Sequence, residues 1–174
     1  MLALSIGLLF QTAPALGQRQ KADSLFQVLD TLSDADTVKV DVLNKIGFAY
    51  AMNDPSKADT YGDKALKLAR EQGYKSGIAH AYQTLAISSY KRGEFEKAIE
   101  AYNKSYEINE EVGNIGGMAG ALGNTAIIYE EQGKFWEALE IYEKIILMFE
   151  QDNDPRGVTT CYGNMAQVYR GLNK

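Results

Sequence analysis

A forty-residue repeat relates residues 95–117, which read FEKAIEAYNKSYEINEEVGNIGG, to residues 135–157, which read FWEALEIYEKIILMFEQDNDPRG. Several matching positions of the two segments hold identical residues, among them Phe95 and Phe135, Ala98 and Ala138, Tyr102 and Tyr142, and Gly117 and Gly157. A fixed period of this size is typical of stacked helical repeats, in which each unit packs against its neighbours. The repeat therefore predicts an all-α fold, and such arrays usually work as binding scaffolds.

Each unit contains two stretches in which apolar residues recur at steps of three and four, as one face of a helix requires. Residues 118–132 and 135–151 are the predicted helix pair of the third unit. Small residues at matching places, Ala86, Ala126 and Ala166, are expected to let paired helices approach closely. In this alignment the turn NDPS at residues 53–56 is one residue shorter than the corresponding turns of the other units. This difference predicts a one-residue slip of register in the first unit.

Two sets of small residues align between the units. Gly73, Gly113 and Asn153 form one set, and Gly77, Gly117 and Gly157 form the other. Glycine and asparagine tolerate the left-handed backbone that ends a helix. Both sets are therefore predicted to be helix-stop signals.

The beginning of the chain differs from the rest. Residues 2–10, LALSIGLLF, form an uncharged apolar run, and small residues follow at positions 13, 15 and 17. This order is typical of a secretory signal, predicted at residues 1–17, which implies export to the periplasm or the exterior. The alternatives are a buried N-terminal helix, or a cytoplasmic protein whose start is misassigned, because no Lys or Arg precedes the run. The run is too short for a transmembrane helix.

The remaining chain divides into a leader and a repeat domain. Residues 18–37 are predicted to form a leading helix and a turn. Residues 38–174 are predicted to form the repeat domain, with units at residues 38–77, 78–117, 118–157 and, incomplete, 158–174.

Composition and charge exclude several classes of function. The 174 residues are 45% hydrophobic and 24% charged, which suits one soluble globular domain. A net charge of -5 argues against direct nucleic-acid binding, which needs a basic face. Cys161 and His80 are the only residues of their types, so no nucleophile–base pair or metal-ligand spacing exists. The sequence predicts no enzyme, no cofactor and no metal, and a small buried packing role for Cys161.

The pattern resembles the tetratricopeptide repeat family. The resemblance rests on LGNTAIIYEEQGKFWEALEIY (residues 122–142), TLAISSYKRGEFEKAIEAY (84–102), KIGFAY (45–50) and YGNMAQVY (162–169). It implies a right-handed α-solenoid of antiparallel helix pairs, in which the first helix of each pair lines a concave surface. The family's usual unit has about 34 residues, whereas this one has 40, a version that resembles repeats of bacterial sensor and regulator proteins.

The resemblance also implies a set of inward-facing residues on the first helices. These peptide-binding candidates are Asn44, Phe48, His80, Gln83, Thr84, Ile87, Lys91, Asn124, Ile127, Glu131, Asn164, Gln167 and Arg170, together with Gly120, Gly123, Thr160 and Gly163. Asn124 and Asn164 occupy equivalent places, where they either bind an extended peptide backbone or make capping and inter-helix hydrogen bonds. The glycines either open a pocket or reflect tight packing. Lys91 and Arg170 lie two units apart with Glu131 between them, so no carboxylate clamp is predicted.

Three functions follow as hypotheses. The first is a scaffold whose concave groove binds a protein or peptide. The second is the N-terminal sensory region of a larger signalling protein, such as a sensor kinase or transcription regulator, because the fourth unit stops at Lys174 where arrays usually add a capping helix. The third is a homodimer formed through the last helix, since Met165, Val168 and Tyr169 are expected to be incompletely covered.

Overall fold

The computed structural model describes residues 24–172, and that part of the chain consists of helices joined by turns and short loops, without strands. The signal segment predicted at residues 1–17 lies outside the described residues. A short helical segment at residues 24–29 (α1) precedes seven long helices. These are α2 (Thr37–Ala51), α3 (Pro55–Glu71), α4 (Lys75–Lys91), α5 (Phe95–Glu111), α6 (Ile115–Glu131), α7 (Phe135–Gln151) and α8 (Pro155–Leu172). None of the described helices combines the length and apolar character needed to cross a membrane.

The helices follow one another with a constant spacing. Helices α3 to α8 begin at residues 55, 75, 95, 115, 135 and 155, and a three-residue loop precedes each. The loop at residues 52–54 has the same length as the others, so the predicted slip of register in the first unit is wrong. Adding 40 to a residue number therefore gives the equivalent position in the next unit.

The five loops that precede α4 to α8 share one conformation. Their second residues have positive φ angles: 65° at Gly73, 74° at Gly93, 68° at Gly113, 73° at Gly133 and 54° at Asn153. The next residue then donates its N–H to a carbonyl five residues back, for example from Asn114 to Asn109 at 2.8 Å. This bond is the mark of a helix end closed by a left-handed residue. The predicted stop signals at Gly73, Gly113 and Asn153 are confirmed.

The second set of aligned glycines has another cause. Gly77, Gly117 and Gly157 lie in the first turns of α4, α6 and α8, so the prediction that they end helices is wrong. A Cβ atom at Gly117 would lie 2.2 Å from Asn109 Oδ1, and one at Gly157 would lie 2.5 Å from the Phe149 ring. Gly117 and Gly157 are small because the last turn of the preceding helix packs directly against them. At Gly77 an added Cβ would instead meet Tyr74 of the preceding loop and Val40 of α2.

Alanines bring the helices together in the core. Ala86 and Ala126 are fully buried, which confirms the close helix approach predicted at these two residues, and Ala98 and Ala138 on the second helices are fully buried as well. Each long helix packs against the next one along the chain, and α2 also packs against α4. Tyr102 and Tyr142 fill the space beside the alanines. Buried Cys161 lies in the cluster that α6, α7 and α8 form, as predicted.

The last helix is covered on one side only. Met165 and Val168 are buried against α7, so the prediction that their face is uncovered is wrong for these two residues. The exposed side carries Tyr162, 56% exposed, and Tyr169, 46% exposed. Ala166 lies between them and is exposed, although the equivalent Ala86 and Ala126 are fully buried.

Two glycine-to-alanine substitutions test this packing. Gly117→Ala forces a methyl group against buried Asn109, which also bonds to Ser105 and Asn114. We expect the free energy of unfolding to fall by about 1–3 kcal/mol. Gly163→Ala, within α8, meets no atom within 4 Å. Alanine's better helix propensity should raise the free energy of unfolding there by about 0.5–1 kcal/mol.

Urea unfolding followed by circular dichroism at 222 nm measures both changes. The two variants should move the midpoint in opposite directions. A shift in the same direction for both would contradict the proposed close contact at Gly117.

Candidate functional site

One exposed face of the first helices α4, α6 and α8 holds most of the predicted binding residues. Its exposed members are His80, Lys91, Ile127, Glu131, Thr160, Gly163, Gln167 and Arg170, and its half-buried members are Gln83, Ile87, Gly120, Gly123, Asn124 and Asn164. The constant 40-residue spacing sets residues 87, 127 and 167 at equivalent places, and likewise residues 124 and 164. We call this surface the inner face.

Two predicted binding residues are not available to a ligand. Asn44 and Thr84 are buried, because α2 packs directly against α4. The Asn44 side-chain amide donates a hydrogen bond to the carbonyl of Gly77 at 2.9 Å. The methyl group of Thr84 fills the space beside Gly47, where an added Cβ would lie 2.9 Å away from it. Their assignment to a binding surface is therefore corrected to a packing role.

Phe48 belongs to another row of residues. It is 58% exposed, but the equivalent positions in the later units are Ser88, Ile128 and Val168, all buried. Those three face the preceding helix, and α2 has no long helix before it within the described residues. Phe48 is therefore exposed at the first end of the array and does not lie on the inner face, which corrects its predicted place.

Asn124 and Asn164 differ from the equivalent Asn44. Both are half-buried, and within residues 24–172 neither side chain makes a hydrogen bond. The interpretation as inter-helix hydrogen bonds therefore applies to Asn44 alone. The amides of Asn124 and Asn164 keep their donors and acceptors for a bound molecule or water.

Glycines leave open space on the same helices. A Cβ atom at Gly120 would have Gln83 Nε2 as its nearest neighbour, at 3.7 Å, and one at Gly123 would have Ile145 Cδ1 at 4.0 Å. No atom lies within 4 Å of that position at Gly163. These distances exclude tight packing as the reason for the three glycines. Because glycine has no side chain, these three positions leave a depression in the surface beside Asn124 and Asn164.

A tyrosine that the sequence did not single out for the site links two units across the inner face. The hydroxyl of Tyr90 on α4 donates a hydrogen bond to the carboxylate of Glu131 on α6. This bond and partial burial raise the pKa of Tyr90 to about 12. Glu131 is thus held by a neighbouring helix. The pairing spans two units, so helix periodicity contains no signal for it.

A cleft lies elsewhere, at the first end of the array. It measures about 470 Å³ and lies among α1, the following turn, α2 and α3. Its walls combine three leucines, three acids and three lysines: Leu29, Leu43, Leu68, Asp30, Asp34, Glu71, Lys39, Lys64 and Lys67. Lys39 donates a hydrogen bond to Asp34 at 2.7 Å, which lowers the pKa of that carboxyl.

None of the predicted binding residues lines this cleft. Its walls come from four separate elements, so no local pattern in the sequence indicates it. Within residues 24–172, no group of three His, Cys, Asp or Glu side chains is placed to hold a metal ion.

The Tyr90–Glu131 bond predicts a pH-dependent stability. At pH 8, Tyr90→Phe should lower the free energy of unfolding by about 1 kcal/mol, the usual contribution of one hydrogen bond. Because the pKa of Tyr90 in the folded protein lies above its ordinary value of 10.0, this stabilisation is complete below pH 10 and is lost as the pH rises through about 12.

Urea midpoints at pH 8 and pH 12 measure the difference between Tyr90→Phe and the unaltered protein. The difference should narrow at the higher pH. Tyr162→Phe, which alters an exposed tyrosine on α8, is the control and should change little at either pH. A constant difference for Tyr90→Phe would argue against the bond.

Comparison with known proteins supports the repeat architecture. The tetratricopeptide repeat family model matches residues 39–111, which include most of α2 and all of α3, α4 and α5. No curated protein matches the sequence.

Solved structures share the fold at low identity. Aspartyl phosphate phosphatase F from Bacillus subtilis is 19% identical with a TM-score of 0.72, over 79% of this chain and 36% of that one. A Rap protein solved with Competence and Sporulation Factor is 19% identical with a TM-score of 0.71, over 87% and 48%. A signal transduction ATPase with numerous domains and a tetratricopeptide repeat sensor, from Pyrococcus horikoshii, is 17% identical with a TM-score of 0.76, over 93% and 26%.

This chain spans less than half the length of each of these three proteins. At such identities the likeness concerns the fold. Residues 39–111 thus match the tetratricopeptide repeat model, and the helix pairs continue to residue 172 with the fold of a tetratricopeptide-like repeat protein.

Proposed function

We propose that this protein is a non-catalytic scaffold that binds a segment of another protein along the inner face of α4, α6 and α8. The observation that carries the proposal is the pair Asn124 and Asn164. Their amides stand at equivalent places and make no side-chain hydrogen bond within residues 24–172. An extended backbone presents donors and acceptors along its length, which primary amides match with both of their groups.

Neighbouring residues add an apolar component to this surface. Ile127 is exposed one turn after Gly123, and the half-buried Ile87 occupies the equivalent place on α4. Gly120 and Gly123 leave a depression in the surface beside these isoleucines. A bound segment would therefore bury apolar side chains against the isoleucines while its backbone bonds to the asparagines.

The structural neighbours agree with a binding role. The Rap protein was solved in complex with Competence and Sporulation Factor, so that related fold accommodates a partner. By analogy alone, we extend partner binding to this chain. Export, predicted from residues 1–17, would place the partner outside the cytoplasm.

A double substitution tests the inner face. Peptides selected from a random library on the full chain provide the ligand. Asn124→Ala combined with Asn164→Ala should weaken their binding by about 2 kcal/mol, roughly thirtyfold in Kd, for two hydrogen bonds of about 1 kcal/mol each. Titration calorimetry measures the change.

Asn103→Ala is the matched control, because Asn103 is exposed on α5, away from the inner face. It should leave the Kd unchanged. Equal affinity for the double variant and the unaltered chain, or an equal loss in the control, would exclude the inner face as the binding surface.

A sensory region of a larger signalling protein is an alternative function. It is supported by the likeness to the Pyrococcus horikoshii protein, whose tetratricopeptide repeats are described as a sensor. Reading the source gene beyond the codon for Lys174 tests it. A continuing frame with a kinase or DNA-binding domain would support this function, and an immediate stop codon would exclude it.

Homodimerisation through α8 is a second alternative, and it rests on the exposed face with Tyr162, Ala166 and Tyr169. If two copies pair there, Ala166→Glu should convert a dimer to a monomer, because the new carboxylate would be buried between the two paired helices without a partner. Sedimentation equilibrium measures the mass. Ser56→Glu makes the same charge change at an exposed position of α3 and should leave the dimer intact. A monomeric unaltered chain at high concentration would remove this alternative.

A further inference from the structure

The second helices of the units present an outward stripe whose chemistry changes along the array. On α7 the stripe consists of Trp136, Glu140, Glu143 and Leu147, all exposed. Helical spacing puts these four positions within about 60° of one another around the axis. Trp136 and Leu147 lie three turns apart, about 16 Å along the helix. We call this surface the α7 stripe.

The exposure of these residues does not result from their place near the end of the array. The equivalent positions on α5 are Glu96, Glu100, Asn103 and Glu107, and on α3 they are Ser56, Thr60, Asp63 and Lys67. All eight are exposed, although helices follow both α3 and α5. A further unit would therefore leave the α7 stripe in contact with solvent.

Only the α7 stripe carries large apolar side chains. Trp136 is 68% exposed, and Leu147 is 58% exposed. The other two stripes hold charged and small polar residues, as a solvated helix face normally does. A tryptophan with this exposure leaves a large apolar area in contact with water. A bound partner would remove that area from water. Tryptophan is also among the residues that contribute most to protein interfaces.

The carboxylates between the two apolar residues are unpaired within the part of the chain that the structure describes. On α5, Glu100 pairs with Lys104 at 2.5 Å. The equivalent Lys144 on α7 instead lies over the Tyr106 ring, 4.6 Å from its centroid. Neither Glu140 nor Glu143 forms an ion pair within residues 24–172. The α7 stripe is thus an acidic surface bounded by an apolar residue at each end.

We propose that the α7 stripe is a second binding surface, and that it takes a cationic amphipathic helix of a partner protein. Such a helix lies along α7 with Lys or Arg opposite Glu140 and Glu143. Its apolar residues, three turns apart, contact Trp136 and Leu147. Complementary charge sets the register and apolar contact supplies most of the affinity. An anionic membrane surface is disfavoured, because the two carboxylates would face lipid phosphates.

Trp136 is the chain's only tryptophan, so its emission reports directly on this surface. The probe is a synthetic 18-residue helical peptide with leucines at positions 4 and 15 and lysines at positions 8 and 11. Titrated into the full chain, it should shift the emission of Trp136 to shorter wavelength. The same peptide with glutamates in place of the lysines should give no shift.

Charge variants distinguish an effect of the carboxylates on α7 from an effect of the chain's net charge. Glu140→Gln with Glu143→Gln should raise the Kd for the lysine peptide by about tenfold, since two opposed charge pairs are lost. Glu100→Gln with Glu107→Gln makes the same net change on α5 and should leave the Kd unchanged. An equal effect of both pairs would overturn the proposal, as would no shift with up to millimolar lysine peptide.

The apolar residues are tested by copying α5. Trp136→Glu with Leu147→Glu installs the residues that α5 carries at the equivalent positions, Glu96 and Glu107, so the helix content should be unchanged. Binding of a fluorescein-labelled lysine peptide, read by anisotropy, should fall at least tenfold. Unchanged binding, or an emission shift of the unaltered chain with anionic vesicles or with rising protein concentration alone, would contradict the proposed partner.

Asn124→Ala with Asn164→Ala should bind the lysine peptide like the unaltered chain. This arm separates the α7 stripe from the inner face, so either surface can fail its test without the other. A loss of binding in this variant would place the peptide on the inner face and overturn the proposal.

Discussion

The close approach of neighbouring helices at alanine positions controls the rest of the structure. Ala58, Ala98 and Ala138 on the second helices, and Ala86 and Ala126 on the first, are fully buried. A larger side chain at such a place would push the helix axes apart and forfeit the contacts on either side. Because three-residue loops join all the long helices, each of these contacts recurs every 40 residues, and equivalent residues stand in rows.

One row shows how the same position acquires different roles along the array. Position 44 and its equivalents read Asn44, Thr84, Asn124 and Asn164. Where α2 packs against α4, the first two are buried, and Asn44 bonds to a backbone carbonyl. Where α4 and α6 make few direct contacts, the row is open and the asparagine amides are unoccupied by protein groups. Glycines in α6 and α8 widen the opening, so the open part of this row lies toward the second half of the described chain.

The outer surface shows the complementary case, in which packing is constant and chemistry varies. Every unit exposes the same four positions of its second helix, so folding places little restriction on them. Residues there are available for recognition. On α7 they are a tryptophan, two carboxylates and a leucine, whereas α5 holds only polar residues. The inner and outer faces therefore offer two different surfaces on one array.

The sequence by itself determined the elements whose cause is local. Periodic apolar residues predicted the helix pairs, and Gly73, Gly113 and Asn153 predicted helix ends, because amphipathic helices and left-handed caps depend on residues a few places apart. Only the tertiary structure decided what lies opposite each face. Gly117 is small because Asn109 of the previous helix touches it, and Asn44 is buried because α4 covers it. The cleft beside Lys39 and the bond from Tyr90 to Glu131 likewise join residues distant along the chain. Periodicity reveals which side of a helix packs, whereas the partner on that side depends on how separate helices meet in space.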